Sequence, residues 1–484
     1  MHMAEQSLKE KTAKGLFWGG VSNGVQQVLN LLFGLVLARI LNAEDYGMVG
    51  MLAIFSAIAG TIQESGFTSA LTNQKEIRHE DYNAVFWFSV LTGVAFYILL
   101  FFCAPLIADF YGKEELIGLS RLLFLSFVLG GIGIAPNAYL FKTLMVKERA
   151  KIDVFSLICS GIVGVTLALN GFAYYGLAIQ TTTYIGVGSL LKLFYSPWKP
   201  SFSFSWKPLK AMFGFSSKLI LTNIFTQISG NLFSVVLGKF YSAQQLGYYS
   251  QGQKWMIMGH SLIGGMINNV SQPVLVEVIE DKERLRNVFR KLVRFGAFIS
   301  FPALLGLALV AKEFIEILFG DKWLPAVPFL QLFCLWGAGG FLYSLSYNLL
   351  MALGKSNMCL YGTIAINVLQ ILALIITHKI GIQAMVLAYV MACYLGVLMW
   401  LYMLKRYTLI AIVDVAKDLL PYLLAISISM AITVFVLMQL SLSVVAAFCL
   451  KISLTAMIYL ALMHYFNSII FREVVTYFLR RKNE

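Results

Sequence analysis

The residues of this chain best suited to chemistry are basic side chains and amides set in apolar surroundings. Lys218 and Lys254 lie inside long apolar stretches. An ammonium there is costly and marks a functional position by default. These two lysines are the leading candidates to hold an anionic group, whose charge must be matched once water is stripped away. Arg39 and Lys239 stand at equivalent ends of two such stretches and would form a basic rim. Arg121 and Lys451 read as side chains that snorkel to an interface. Glu64 is the acid set most deeply within a stretch, placed to pair with a lysine or to carry a coupling proton. Asn23, Gln27 and Asn30 share one helical face, and so do Asn223, Gln227 and Asn231. Lipid satisfies no amide, so each stripe faces a cavity or glues one helix to another. Further on, Lys254, Ser261, Asn268 and Gln272 recur at a roughly heptad spacing.

Other chemistries find little support. The six cysteines, Cys103, Cys159, Cys334, Cys359, Cys393 and Cys449, form no C-x-x-C pair, and nearly all sit in apolar stretches as small hydrophobes would. His2, His79, His260, His378 and His464 show no ligand spacing, so neither a metal centre nor another cofactor is expected. Only His260 lies deep in an apolar stretch, with no acid near it in sequence, which argues against an enzyme.

The elements that must position these residues follow from composition. The chain has 484 residues, of which 59% are hydrophobic and 13% charged. Soluble domains average about 45–50% apolar and about 25% charged. The excess apolar surface must face lipid. A helix crosses a hydrocarbon core of roughly 30 Å with about 20 apolar residues. Fourteen windows qualify: 16–38, 46–72, 82–107, 116–140, 152–170 and 174–195, then 211–239, 247–275, 292–311, 325–352, 358–377 and 382–403, and a final pair, 417–438 and 444–467. Met1-His2-Met3 reads as an addition before a start at Met3, and the apolar stretch after Lys14 as a first span rather than a signal peptide.

Both termini on one side collect 27 of the 37 lysines and arginines in that side's loops and tails. The opposite side holds Arg39, Lys113, Lys239, Lys312, Lys322 and Lys379, and four more lie within spans: Arg121, Lys218, Lys254 and Lys451. The bias puts both termini in the cytoplasm. The net charge of +13 is then a topology signal with attraction for anionic lipid, and does not indicate nucleic acid.

A shift of 200 residues superposes the two halves. Asn23, Gln27, Leu32, Phe33, Val36, Leu37, Ala43 and Gly47 recur as Asn223, Gln227, Leu232, Phe233, Val236, Leu237, Ala243 and Gly247. About two or three such identities would arise by chance in so apolar a segment. The expected fold is an all-α membrane protein with two pseudo-symmetric six-helix lobes running in the same direction, plus two extra C-terminal helices. Residues 1–195 form the N-lobe, 196–210 a cytoplasmic linker, 211–403 the C-lobe, and 404–484 the last two spans and a cytoplasmic tail. Near 277–291, Leu285, Val288, Phe289 and Leu292 recur at helical spacing, with Arg286, Arg290 and Arg294 on another face. They suggest an amphipathic helix on the membrane surface, or a solvated connector.

Two lobes about a cavity suit alternating access, and certain segments resemble a known family. Leu37-Ala38-Arg39-Ile40-Leu41 followed by Glu44-Asp45-Tyr46-Gly47 resembles the first loop of bacterial polysaccharide-export flippases of the Wzx type, as does Glu64-Ser65-Gly66-Phe67. Ser271-Gln272-Pro273-Val274-Leu275, running into Asp281-Lys282-Glu283-Arg284-Leu285-Arg286, resembles the end of the eighth span in that family, where many members have Phe-Pro. The resemblance implies an inner-membrane flippase. Its substrate would be an undecaprenyl-pyrophosphate-linked oligosaccharide, moved to the periplasmic leaflet and passed to a polymerase or ligase. Membrane lipids would be its other partners. The alternatives are a drug or cation antiporter of the same superfamily, a membrane-embedded polymerase or acyltransferase, and a scaffold without transport. Lone Glu64 among several basic residues favours an anionic substrate over a cation.

Overall fold

The computed structural model describes residues 2–64, 71, 77–473 and 476, apart from the side chains of 2–17, 211, 213–219, 221–222, 268–270, 272 and 356. Helices dominate. In chain order they are α1 (His2–Ile40), α2 (Ala43–Met51), α3 (Ala53–Glu64), α4 (His79–Tyr111), α5 (Glu115–Lys142), α6 (Val146–Leu169), α7 (Ala173–Tyr195), α8 (Trp206–Phe240) and α9 (Ala243–Glu277). Then follow α10 (Lys282–Leu309), α11 (Ala311–Phe319), a 3-10 turn (Asp321–Ala326), α12 (Val327–Ala352), α13 (Ser356–Thr377), α14 (Ile382–Tyr407), α15 (Ile412–Leu437) and α16 (Val444–Tyr465).

Among the described residues, ten helices are long and apolar enough to cross a membrane. The pair α2 and α3, bent by 42°, makes an eleventh if it is one span. The pair overlaps the window 46–72, part of which lies outside the described residues. Its helix breaks at Leu52, which is fully buried. Three further helices, α7, α8 and α9, have 23, 35 and 35 residues. Large apolar side chains stand on the outside, such as Phe102 at 74% exposure and Phe435 at 68%. A surface of that kind is stable against lipid and not against water. The protein is a multi-pass membrane protein.

Local signals set the helix ends. The Asn42 amide donates to the Asp45 carboxylate at 2.8 Å and starts α2. Asp281 caps α10 by accepting from the amides of Glu283 and Arg284, both at 3.0 Å. Gly171, at φ +80°, separates α6 from α7 in a left-handed conformation that suits glycine.

The chain folds as two compact units, residues 1–247 and 248–484. The first therefore includes α8, beyond the proline-rich segment 196–208. That segment is stapled to α4: Trp198 is buried against Tyr82 and Phe86, and Trp87 donates to the Ser201 carbonyl at 2.7 Å. The first unit also brings the two copies of the sequence repeat together. A Cβ on Gly47 would lie 1.7 Å from the Ala243 carbonyl oxygen, and a Cβ on Gly247 would lie 1.8 Å from that of Ala43. Residues paired by the 200-residue shift thus meet in a reciprocal contact, and only glycine fits at either point. In the second unit a core of aromatic and aliphatic side chains, including Phe289, Phe341, Trp400 and Tyr459, joins α10, α12, α14 and α16.

The arginine face of residues 282–294 is not a separate surface helix. It is the first three turns of α10, with Leu285, Phe289 and Leu292 buried. Its charges are bound within the protein. Arg290 grips Asp418 through Nε at 2.6 Å and Nη2 at 3.0 Å, and Arg294 Nε reaches the same carboxylate at 2.8 Å. Arg286 holds Asp414 at 2.5 Å. Lys451 does not snorkel, because it pairs with Glu313 at 2.7 Å. Arg121 lies over the Phe101 ring at 4.1 Å.

Candidate functional site

Within the first unit, α3, α5, α6 and α7, with Gln227 of α8, line a cavity of about 440 Å³. Its walls carry many polar groups. Serine and threonine hydroxyls are joined there by Gln63, Asn137, Tyr184, Glu64, Asp153 and Lys192.

The cavity is anchored at the end of α3. Gln63 is 4% exposed and donates to the backbone carbonyls of Ser89 on α4 and Phe127 on α5. Gly93 and Gly131 leave room for its amide: a Cβ on either would come within 2.5 or 2.9 Å of Nε2. A carboxamide locked between two neighbouring helices fixes the last turn of α3, and with it Glu64, which is exposed on the cavity wall. Glycines also bring the other walls together. A Cβ on Gly133 would meet the Ser189 hydroxyl at 2.6 Å, and one on Gly188 would stand 3.4 Å from that of Ser156. Small residues let backbones approach closely where lipid supplies no hydrophobic drive for association.

Two carboxylates, Glu64 and Asp153, and one ammonium, Lys192, share this space. The Ser56 hydroxyl and the Asn137 carbonyl oxygen are buried on the wall with no hydrogen-bond partner among the described residues. A buried polar atom without a partner costs about 1–3 kcal/mol. Such groups suit a ligand rich in hydroxyls, which both donates and accepts. Among the described residues no cluster of three histidine, cysteine or acidic side chains could hold a metal.

Of the residues singled out in the sequence, the structure brings Glu64 and Gln227 together in this cavity. The remaining candidates whose side chains are described do not line it. Asn23 and Asn30 are exposed on α1 and Gln27 is half-buried. Asn223 is exposed, and Asn231 donates to the Gln227 carbonyl at 2.9 Å along their own helix. Arg39 is exposed in the last turn of α1. Lys239, at the matching end of α8, binds the Phe110 carbonyl and lies 4.8 Å from that residue's ring. Lys254 is exposed on α9, 5.6 Å from the Trp255 ring. The side chains of Lys218 and Asn268 lie outside the described residues. Sequence reasoning missed Gln63, Asn137, Asp153 and Lys192. It also overstated the depth of Glu64, since Asp418, 6% exposed, lies within α15.

Residues 36–328 match the polysaccharide biosynthesis protein family, and the chain belongs to that family. It is 24% identical over 377 residues to the teichuronic acid biosynthesis protein TuaB of Bacillus subtilis, covering 78% of each chain. It is 27% identical over 338 residues to the lipopolysaccharide biosynthesis protein WzxC of Escherichia coli, covering 68% of each. Its fold is similar to that of the lipid II flippase MurJ in an inward closed conformation, with a TM-score of 0.77 and 18% identity over 95% of this chain and all of that one.

Proposed function

We propose that this protein is a flippase for a lipid-linked oligosaccharide, in which the polar cavity of the first unit receives part of the glycan. The observation that carries the reading is that cavity, where hydroxyls, amides and charged groups converge inside helices that are otherwise apolar. Membership of a polysaccharide biosynthesis family supports it, as does similarity to relatives named for lipopolysaccharide biosynthesis and succinoglycan transport.

In finer detail, the substrate is an oligosaccharide on undecaprenyl pyrophosphate, moved from the cytoplasmic to the periplasmic leaflet of the inner membrane by alternating access. Lys254 and Lys218 hold the pyrophosphate, Arg39 and Lys239 form a basic rim, and the amide stripes of Asn23, Gln27 and Asn30, of Asn223, Gln227 and Asn231, and Asn268 bind sugar. The ten apolar helices, the bent pair and α7, α8 and α9 make fourteen spans, twelve of them in two six-span lobes, with both termini cytoplasmic. A polymerase or ligase consumes the product.

Glu64 and Asp153 together in one cavity also favour a second reading, a cation antiporter, because paired carboxylates attract cations. Purified protein in proteoliposomes with a fluorescent lipid-linked oligosaccharide separates the two. Protein-dependent loss of label from the outer leaflet supports the flippase. Absence of flipping, with export of a cationic dye down a proton or sodium gradient, supports the antiporter.

A further inference from the structure

A second cavity, of about 540 Å³, opens between α1, α6 and α7 of the first unit. Its walls are apolar, with Val25 and Ile158 along the groove and Phe155 and Tyr195 on its rim, 54% and 42% exposed. Nothing in the polar site requires it. Two lysines mark one end. Lys147 stands 5.5 Å from the Trp18 ring, and Lys151, one turn further along α6, lines the groove itself. Residues four apart on a helix share a face, so both ammonium groups serve the same end. No carboxylate is among the lining residues. A tryptophan beside lysines at the end of an apolar groove matches the headgroup level of a bilayer, where amphipathic rings and cationic heads sit.

We propose that this groove binds one anionic phospholipid, its acyl chain along Val25, Phe155 and Ile158 and its phosphate between Lys147 and Lys151. Charge complementarity selects this occupant, since two adjacent ammonium groups stand at the end of an apolar groove with no carboxylate among its described lining residues. The concave shape suits a chain better than the flat face of another helix. Site and ligand are separate from the glycan cavity.

Native mass spectrometry of the full chain, released from vesicles of equal phosphatidylglycerol and phosphatidylcholine, tests this directly. The expected result is one retained phosphatidylglycerol, at several-fold preference over phosphatidylcholine. The pair Lys147→Gln and Lys151→Gln should remove the preference, and Ile158→Trp, which fills the groove without altering charge, should lower retention of both lipids. A thermal unfolding scan of each variant confirms that it is folded. Three results would overturn the proposal: equal retention of the two lipids by the unaltered protein, retention unchanged in folded variants of both kinds, or displacement of phosphatidylglycerol by undecaprenyl phosphate at matched concentration. The last would assign the groove to the carrier lipid instead.

Discussion

The two units treat charge inside a membrane helix bundle in opposite ways. In the second unit every arginine on the α10 face finds a carboxylate, and Asp418 takes three hydrogen bonds from Arg290 and Arg294. In the first, Glu64, Asp153 and Lys192 are spread around a cavity whose walls also carry polar atoms without a partner among the described residues. The same residue types thus serve two ends. A charge closed by its partner joins helices, whereas a charge left open on a cavity is available to a ligand. An ionisable residue in an apolar stretch is a functional candidate only until its partner is known.

The comparison is sharpened most by Asp418→Ala. It leaves two guanidinium groups without their shared carboxylate, and removing one partner of a buried pair costs about 3–5 kcal/mol. Yield of monodisperse protein and its thermal midpoint should both fall. An unaltered midpoint would show that the cluster joins nothing. Next comes Lys254, proposed to hold pyrophosphate. Lys254→Ala should reduce flipping roughly ten- to hundred-fold, the equivalent of lost charged hydrogen bonds, with normal membrane expression by immunoblot. Lys254→Arg should keep part of the activity, and normal surface-polysaccharide display with Lys254→Ala would remove this lysine from the substrate site.

Gly47→Ala tests the reciprocal contact and should destabilise by about 1–3 kcal/mol, because a methyl group has no space beside the Ala243 carbonyl. Gly247→Ala should match it in a thermal scan, and a large difference between them would contradict the symmetry of the contact. The open charges should behave otherwise. Glu64→Gln and Asp153→Asn should each slow flipping about tenfold while moving stability by no more than about 0.5 kcal/mol. A large drop in thermal midpoint with either variant would place these acids in the same class as Asp418. The smallest effect belongs to Lys113→Ala, since its pair with Glu44 is largely solvent-accessible. Such pairs contribute about 0–1 kcal/mol, so its unfolding curve should nearly overlay that of the unaltered protein.

Much of the fold is legible because lipid imposes a one-dimensional rule: long apolar runs become helices. The helix break at Gly171 and the start of α10 at Asp281 follow from local residues. The repeat is legible as well, since eight identities at one shift point to equivalent positions, and Gly47 and Gly247 do meet the partner copy. Distant pairings leave no such trace. The face of Arg286, Arg290 and Arg294 shows a helical period, but the carboxylates closing it are Asp414 and Asp418, more than a hundred residues away, so the face reads as a membrane-surface helix or a solvated connector. The cavity was hidden for a related reason. Glu64 draws notice as an acid well inside an apolar window, whereas Asp153 is the second residue of the window 152–170, just after Glu148, Arg149 and Lys151, and reads as part of its charged edge. Gln63 is one amide among many, and only the slot made by Gly93 and Gly131 sets it apart.

The contact between Ala43 and Gly47 on one side and Ala243 and Gly247 on the other is isologous, each side supplying to its neighbour what it receives. A surface that is complementary to itself needs only one gene segment to specify both faces. A half-length polypeptide carrying a single copy would satisfy it by dimerising. In the full-length chain the same geometry is held within one molecule, so the partner copy is always present whatever the protein concentration, and the two copies are free to diverge in every residue that does not touch the twofold point.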